Sequence, residues 1–97
     1  MKETDFIIVF NMKTTDGFES YAKFYLGNDR RLAEVLFSNL IGTKDVTEDS
    51  ILYIELMEIN KGLPVNLQML RCTLEELAEN CKLITRETFK FHNLEEM

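Results

Sequence analysis

Residues 5–26 read DFIIVFNMKTTDGFESYAKFYL and carry the pattern that decides the fold. Both ends of this stretch are rich in β-branched and aromatic residues, which favour strands. Asp16-Gly17 between them is a strong signal for a two-residue hairpin turn. The stretch therefore predicts one strand over 5–13, a tight turn, and a second strand over 18–26.

A helix is expected after the second strand. Gly27 breaks the extended pattern, and Asn28 is a suitable N-cap residue. Apolar residues then recur at helical spacing until Gly42, a typical helix stop. The sequence predicts a helix from about Asp29 to Ile41.

The second half of the chain resembles the first. Shifting the sequence by 45 residues aligns Gly17 with Gly62, and the triplet Leu32-Ala33-Glu34 with Leu77-Ala78-Glu79, without a gap. A turn glycine, a helix triplet and the hydrophobic pattern coincide in one register, which indicates an internal duplication. We expect pseudo-repeats over about 6–42 and 51–84.

Within the second half, the pattern predicts strands over 51–59 and 63–72 on either side of a Lys61-Gly62 turn. Thr73 and Glu76 have the spacing of a capping box and mark the start of a second helix. We expect a C-terminal segment, 85–97, as an extra strand or a tail over the core, because its apolar residues nearly alternate. They are Phe89, Phe91 and Leu94.

The predicted fold class is α+β. A tandem ββα-ββα repeat would form one domain over 1–97, with a four-stranded, mainly antiparallel sheet and two helices packed on one face. Pro64 cannot donate to a strand ladder, which places the fourth strand, and by the repeat the second, at the edges. The expected strand order is 2-1-3-4.

The predicted turns also assign residues to the two faces of the sheet. An Asp16-Gly17 loop places Ile7, Val9 and Asn11 opposite Leu26, Phe24 and Ala22 on the core face. The other face would then be unusually apolar for a solvated sheet, which predicts an interaction surface. Its expected residues are Ile8, Phe10, Met12, Tyr21, Tyr25, Tyr53, Met57 and Leu70.

Three covers for that face are open from the sequence: the chain's own tail, a second copy packed sheet to sheet, or a ligand or another protein. Aromatic residues on an open sheet also suit base stacking in RNA-binding domains. The formal charge of −6, with 17 acidic and 11 basic residues, disfavours nucleic acid and anionic membranes as partners.

Composition and the first residues bear on location. The apolar run Phe6–Phe10 is short and flanked by acidic residues, unlike a signal peptide, and no stretch is long enough to span a membrane. We expect a cytoplasmic protein with reduced Cys72 and Cys81.

The sequence predicts no catalytic, cofactor or metal site. His92 is the only histidine, the two cysteines are nine residues apart, and no glycine-rich phosphate loop occurs. The acidic residues Asp45, Glu48 and Asp49 lack the spacing of a calcium loop.

The leading interpretation is a non-enzymatic interaction or assembly module, a homodimer or a partner of another protein. It would act through the aromatic sheet face or an edge strand. The alternative is a small-molecule-binding or enzymatic domain with a pocket between the sheet and the helices or tail, using tyrosines, Cys72 or Glu55 as polar groups.

Overall fold

The chain folds into a sheet with helices packed on one side. This computed structural model describes residues 4–44 and 51–93, and side chains through Lys90; over these residues it has four strands and two helices. The elements are β1 (Thr4–Thr14), β2 (Gly17–Gly27), α1 (Arg30–Ser38), β3 (Leu52–Asn60), β4 (Leu63–Arg71) and α2 (Leu74–Asn93).

The strand order is β2-β1-β3-β4, and each neighbouring pair is antiparallel. This is the order expected from Pro64, and the α+β class is confirmed. α1 connects β2 to β3, which lie on either side of β1. Residues of both helices, including Leu36, Phe37, Leu77 and Ile84, join one core cluster with the sheet.

The first hairpin differs from the prediction by one residue. Thr14 pairs with Gly17, so the loop is Thr15-Asp16, and Gly17 takes a φ of +119° that favours glycine. β2 also carries a bulge: Asn11 pairs with Ser20, and Phe10 with Ala22. Because side chains alternate along a strand, the extra residue of this bulge turns the opposite side of β1 toward the core.

The consequence is a correction of the predicted faces. Ile8 and Phe10 are 0% exposed and belong to the core under the helices, so their placement on an open face is wrong. Leu70 is also a core residue. In the second hairpin, Asn60 pairs with Leu63 across the predicted turn, but a register shift after Leu56 moves Leu70 inward.

α1 is shorter than predicted and has another cap. Its N-cap is Asp29 rather than Asn28, because the Asp29 side chain accepts a hydrogen bond from the Leu32 amide at 3.0 Å. The helix ends before Gly42, which instead allows a close backbone approach. A Cβ there would lie 2.7 Å from the carbonyl oxygen of Arg71.

α2 begins as predicted and ends later. Glu76 donates its amide to Thr73 Oγ1 at 3.1 Å, and the Thr73 amide donates to Glu76 Oε1 at 2.9 Å, which completes the capping box. Residues 85–93 continue this helix, so the predicted strand or extended tail is wrong there. No glycine or proline interrupts the chain over 74–93, and its lysine, arginine and glutamate residues favour helix over the alternation of the aromatics.

Some predicted features lie outside the described residues: the acidic residues of 45–50, and Leu94 with the residues after it. The side chains of Phe91 and His92 also lie outside the described part. Within the part that is described, neither helix has the length and hydropathy needed to cross a bilayer.

Candidate functional site on the open sheet face

The sheet face opposite the helices, called here the open face, is organised in three cross-strand rows. Each row takes one side chain from each of β2, β1, β3 and β4. The rows are Tyr25–Ile7–Met57–Asn66, Lys23–Val9–Glu55–Met69 and Ser20–Asn11–Tyr53–Arg71.

Apolar and aromatic side chains dominate the open face. Ile7 and Val9 on the central strand are only 5% and 3% exposed. Tyr25 on the edge strand is 70% exposed. Phe18 and Tyr53 pack edge to face with ring centroids 5.1 Å apart, an arrangement typical of stabilising aromatic pairs. The exposed apolar area of this face therefore lies mainly at Tyr25 and Phe18, which is 40% exposed.

A hydrogen-bonded polar chain crosses the same face. Ser20 Oγ donates to Asn11 Oδ1 at 2.6 Å, and Asn11 Nδ2 donates to Glu55 Oε1 at 2.9 Å. Asn66 Nδ2 donates to the other oxygen, Glu55 Oε2, at 2.6 Å. Asn11 is 3% exposed and needs such partners, since a buried amide without them would cost free energy. Partial burial and the nearby Glu55 carboxylate raise the pKa of Tyr53.

The structure places only part of the predicted interaction set on this face. Tyr25, Tyr53 and Met57 lie on it, in the rows given above. Met12 pairs with Leu52, which packs against the core, and so faces the helices. Together with the three core residues already corrected, this divides the predicted face between both sides of the sheet.

Tyr21 also leaves the predicted set. It is the extra residue of the β2 bulge, and its ring meets Phe10 edge-on at 6.1 Å. Phe10 is a core residue, so the Tyr21 ring lies on the helix side of the sheet. Partial burial, with smaller effects from the Cys81 and Cys72 thiols, raises the pKa of Tyr21.

Sequence reasoning missed several residues of the open face. Ile7, Val9 and Asn11 were assigned to the core face, and Phe18 was not assigned to the surface. Five consecutive apolar residues, Phe6–Phe10, contain no alternation from which a face can be read. A polar residue directly after that run was the only available signal, since Asn11 would need partners on whichever face it occupied.

A second candidate is a cleft of about 620 Å³ beside the start of α1. The Arg30 guanidinium there donates to Glu58 at 2.7 Å and to Glu34 at 3.4 Å, and lies 5.2 Å from the Phe6 ring centroid. These carboxylates raise the pKa of Arg30 and compensate its charge. The residues around this cleft therefore favour a structural ion pair that links α1 to β3.

The groups suggested for an enzymatic pocket are poorly placed for chemistry. Cys72 is 7% exposed, and burial raises its pKa to about 11, which leaves a protonated, weakly nucleophilic thiol at neutral pH. Glu55 lies on the open face. The cavity beside Phe37 and Leu70, between sheet and α1, is about 160 Å³, below the roughly 300 Å³ of small ligand pockets.

Metal ligands are likewise not assembled: the described part of the chain contains no group of three or more His, Cys, Asp or Glu side chains placed to hold an ion. Comparisons with models of protein families, with curated proteins and with solved structures found no match. The functional conclusion therefore depends on the open face.

Proposed function

We propose that this chain is a non-enzymatic assembly module that forms a twofold dimer by packing its open face against that of a second copy. The observation that carries the proposal is a sheet face with exposed aromatic side chains opposite the helices. Tyr25 is 70% and Phe18 40% exposed there, beside the half-buried Tyr53 and Met57. Exposed aromatic side chains on a sheet face are typical of interaction sites.

The size of the face supports a second copy as its cover. Four strands spaced about 4.8 Å apart and about nine residues long span roughly 19 Å by 30 Å, or about 570 Å². Small stable interfaces bury about 600 Å² per partner. Two sheets also pack readily face to face, about 10 Å apart.

The two edge strands favour assembly through the face over assembly through an edge. β2 has bulges at Tyr21 and Leu26, and β4 has one at Leu67 and a proline, Pro64. Bulges and prolines on edge strands disrupt the regular ladder that another strand would need. Sheet extension at either edge is therefore disfavoured.

The position of the C-terminal segment disfavours the chain's own tail as the cover of the open face. Residues 85–93 lie in α2, whose buried residues Leu77 and Ile84 pack into the core on the other side of the sheet. A second copy, and a ligand or another protein, are the covers that keep support. The second copy is the simpler proposal, because it needs no further component and a closed twofold dimer buries the same patch on both chains.

The same proposal includes a single cytoplasmic domain built by internal duplication. The element order and the positive φ of both hairpin glycines, Gly17 and Gly62, support the duplication. Reduced thiols suit the cytoplasm: Cys72 and Cys81 are both free.

Light scattering after size exclusion, over a range of protein concentrations, tests the dimer. We expect a mass twice the chain mass of 11.4 kDa and a shift toward that chain mass on replacing Tyr25 with alanine. Leu74→Ala is the matched control, because Leu74 is 72% exposed but lies at the start of α2. A monomer at every concentration, or equal dissociation by both variants, would refute the proposal.

The alternative function, small-molecule binding, has its own test. A broad metabolite panel in a thermal-shift assay would show a rise in melting temperature if a ligand bound the folded chain. If the protein is monomeric and one class of compounds stabilises it, small-molecule binding would replace assembly as the proposed function.

A further inference from the structure

One row of the open face carries two charges of opposite sign that do not meet within the chain. Lys23 on β2 and Glu55 on β3 both pair with Val9, one on each side of β1. Two strand spacings put their Cα atoms about 10 Å apart. Among the described residues neither side chain forms an ion pair.

Glu55 limits how this face can be covered. Its oxygens accept hydrogen bonds from the side-chain amides of Asn11 and Asn66, which orient the carboxylate without neutralising it. A charge that becomes buried in an interface without an opposite charge is strongly unfavourable. The surface that covers the open face must therefore supply a cation near Glu55.

We propose that, in the sheet-to-sheet dimer on which this inference rests, the twofold axis runs along β1 and pairs Lys23 of each copy with Glu55 of the other. A twofold axis lying in the interface exchanges positions at equal distances on its two sides. β2 and β3 flank β1, so this axis brings Lys23 over Glu55, and it does so twice.

The neighbouring row agrees with this axis. Tyr25 and Met57 both pair with Ile7, again on opposite sides. The same rotation therefore places Tyr25 of one copy on Met57 of the other, and Ile7 on its own counterpart. Aromatic and thioether groups pack favourably in such contacts.

Two other axes along the main directions of the sheet do not pair Lys23 with Glu55. An axis along the seam between β1 and β3 would place Glu55 over Val9 of the other copy. An axis across the strands, along the row itself, would stack Glu55 on Glu55 and Lys23 on Lys23. Like charges in contact across an interface oppose association.

The proposed axis also limits the strength of the dimer. β4 lies outside the overlap, so three strands rather than four cover each other, and the covered area falls to about 430 Å² per partner, below the roughly 600 Å² of small stable interfaces. We expect a dimer that dissociates on dilution, with an affinity that decreases as salt screens the paired charges.

Charge reversal tests the pairing between copies. Lys23→Glu and Glu55→Lys each place like charges together in their own homodimer, and each should raise the dissociation constant about tenfold or more. An equimolar mixture of the two variants should form a heterodimer with near wild-type affinity, because both contacts are again Lys with Glu. Native mass spectrometry, with a C-terminal tag on one variant, measures the heterodimer.

Lys44→Glu is the control for Lys23→Glu, since it makes the same change in net charge at an exposed position outside the open face. Circular dichroism checks folding; if Glu55→Lys does not fold, the salt dependence of Lys23→Gln replaces it. That variant should lose most of the salt dependence of the wild-type dimer, and an unchanged dependence would refute the pairing.

A wild-type dimer whose charge-reversed variants do not recombine would refute this axis but leave the proposed assembly intact. A monomeric wild type would refute both.

Discussion

Asn80 on α2 binds both backbone groups of Ile41, a residue 39 positions earlier in the chain. Its Oδ1 accepts from the Ile41 amide at 2.7 Å, and its Nδ2 donates to the Ile41 carbonyl at 2.8 Å. Asn80 is 0% exposed, and Nδ2 also lies 3.4 Å from Cys72 Sγ. One buried amide thus ties the segment after α1 to both α2 and the end of β4.

Replacing Asn80 with alanine should reduce the free energy of unfolding by about 2 kcal/mol, because the Ile41 amide loses its acceptor and the Ile41 carbonyl keeps only the weak Cys72 thiol donor. Urea denaturation of both proteins measures the difference. Asn39→Ala is the control: Asn39 is exposed in the same segment and has right-handed backbone angles that alanine accepts, so we expect a change below about 0.5 kcal/mol. Equal losses for the two variants would contradict the role given to Asn80.

The N-cap of α1 predicts that substitutions at two adjacent residues, Asn28 and Asp29, destabilise the protein to different extents. Asp29→Ala should destabilise the protein by about 1 kcal/mol, because the Leu32 amide loses its acceptor. Asp29→Asn keeps an acceptor oxygen and removes only the charge near the helix dipole, so its loss should be smaller. Asn28→Ala should cost less than Asp29→Ala. Thermal unfolding of the three variants gives the order of their stability losses. A larger loss at Asn28 would favour Asn28 as the N-cap, as the sequence predicted.

Cys72 predicts a loss of stability at alkaline pH. Burial, and to a lesser degree the Glu76 charge, raises its pKa from 9.0 to about 11. The folded state therefore holds the thiol proton more tightly than the unfolded state. This contribution is complete below pH 9 and is lost as the pH rises toward 11, because the unfolded chain ionises first.

Urea denaturation of wild type and Cys72→Ala across that pH range separates the contribution of the Cys72 thiol from that of the tyrosines. Tyr21 and Tyr53 also have raised pKa values, but both are present in either protein. The decline in unfolding free energy should be steeper for the wild type. Parallel declines would show that the Cys72 thiol does not contribute.

Several elements were predictable because their signals are local. The Lys61-Gly62 turn needs two residues with positive φ, 53° and 84°, and the sequence places a glycine there. The capping box depends on two side chains three residues apart. Pro64 restricts its own strand to an edge, whatever the rest of the chain does.

The candidate site was predictable only in part. Tyr25, Tyr53 and Met57 were placed on the open face correctly, because β3 and the middle of β2 follow the expected alternation. The side chains of β1 were predicted on the opposite faces from those they occupy. The hydrogen bonds that join Ser20, Asn11, Glu55 and Asn66 were not predicted, since they connect residues 9 to 44 positions apart through strand register.

The sequence by itself determined the strands, the second turn, the cap of α2 and the order of the sheet, because each follows from the conformational preferences of a few neighbouring residues. Only the tertiary structure decided which side of β1 faces the helices. Phe6–Phe10 are all 5% exposed or less, so their composition is compatible with either side. The choice depends on the bulge at Tyr21, which shifts the pairing of β1 with β2 by one residue, and such a shift reverses every side chain of a strand.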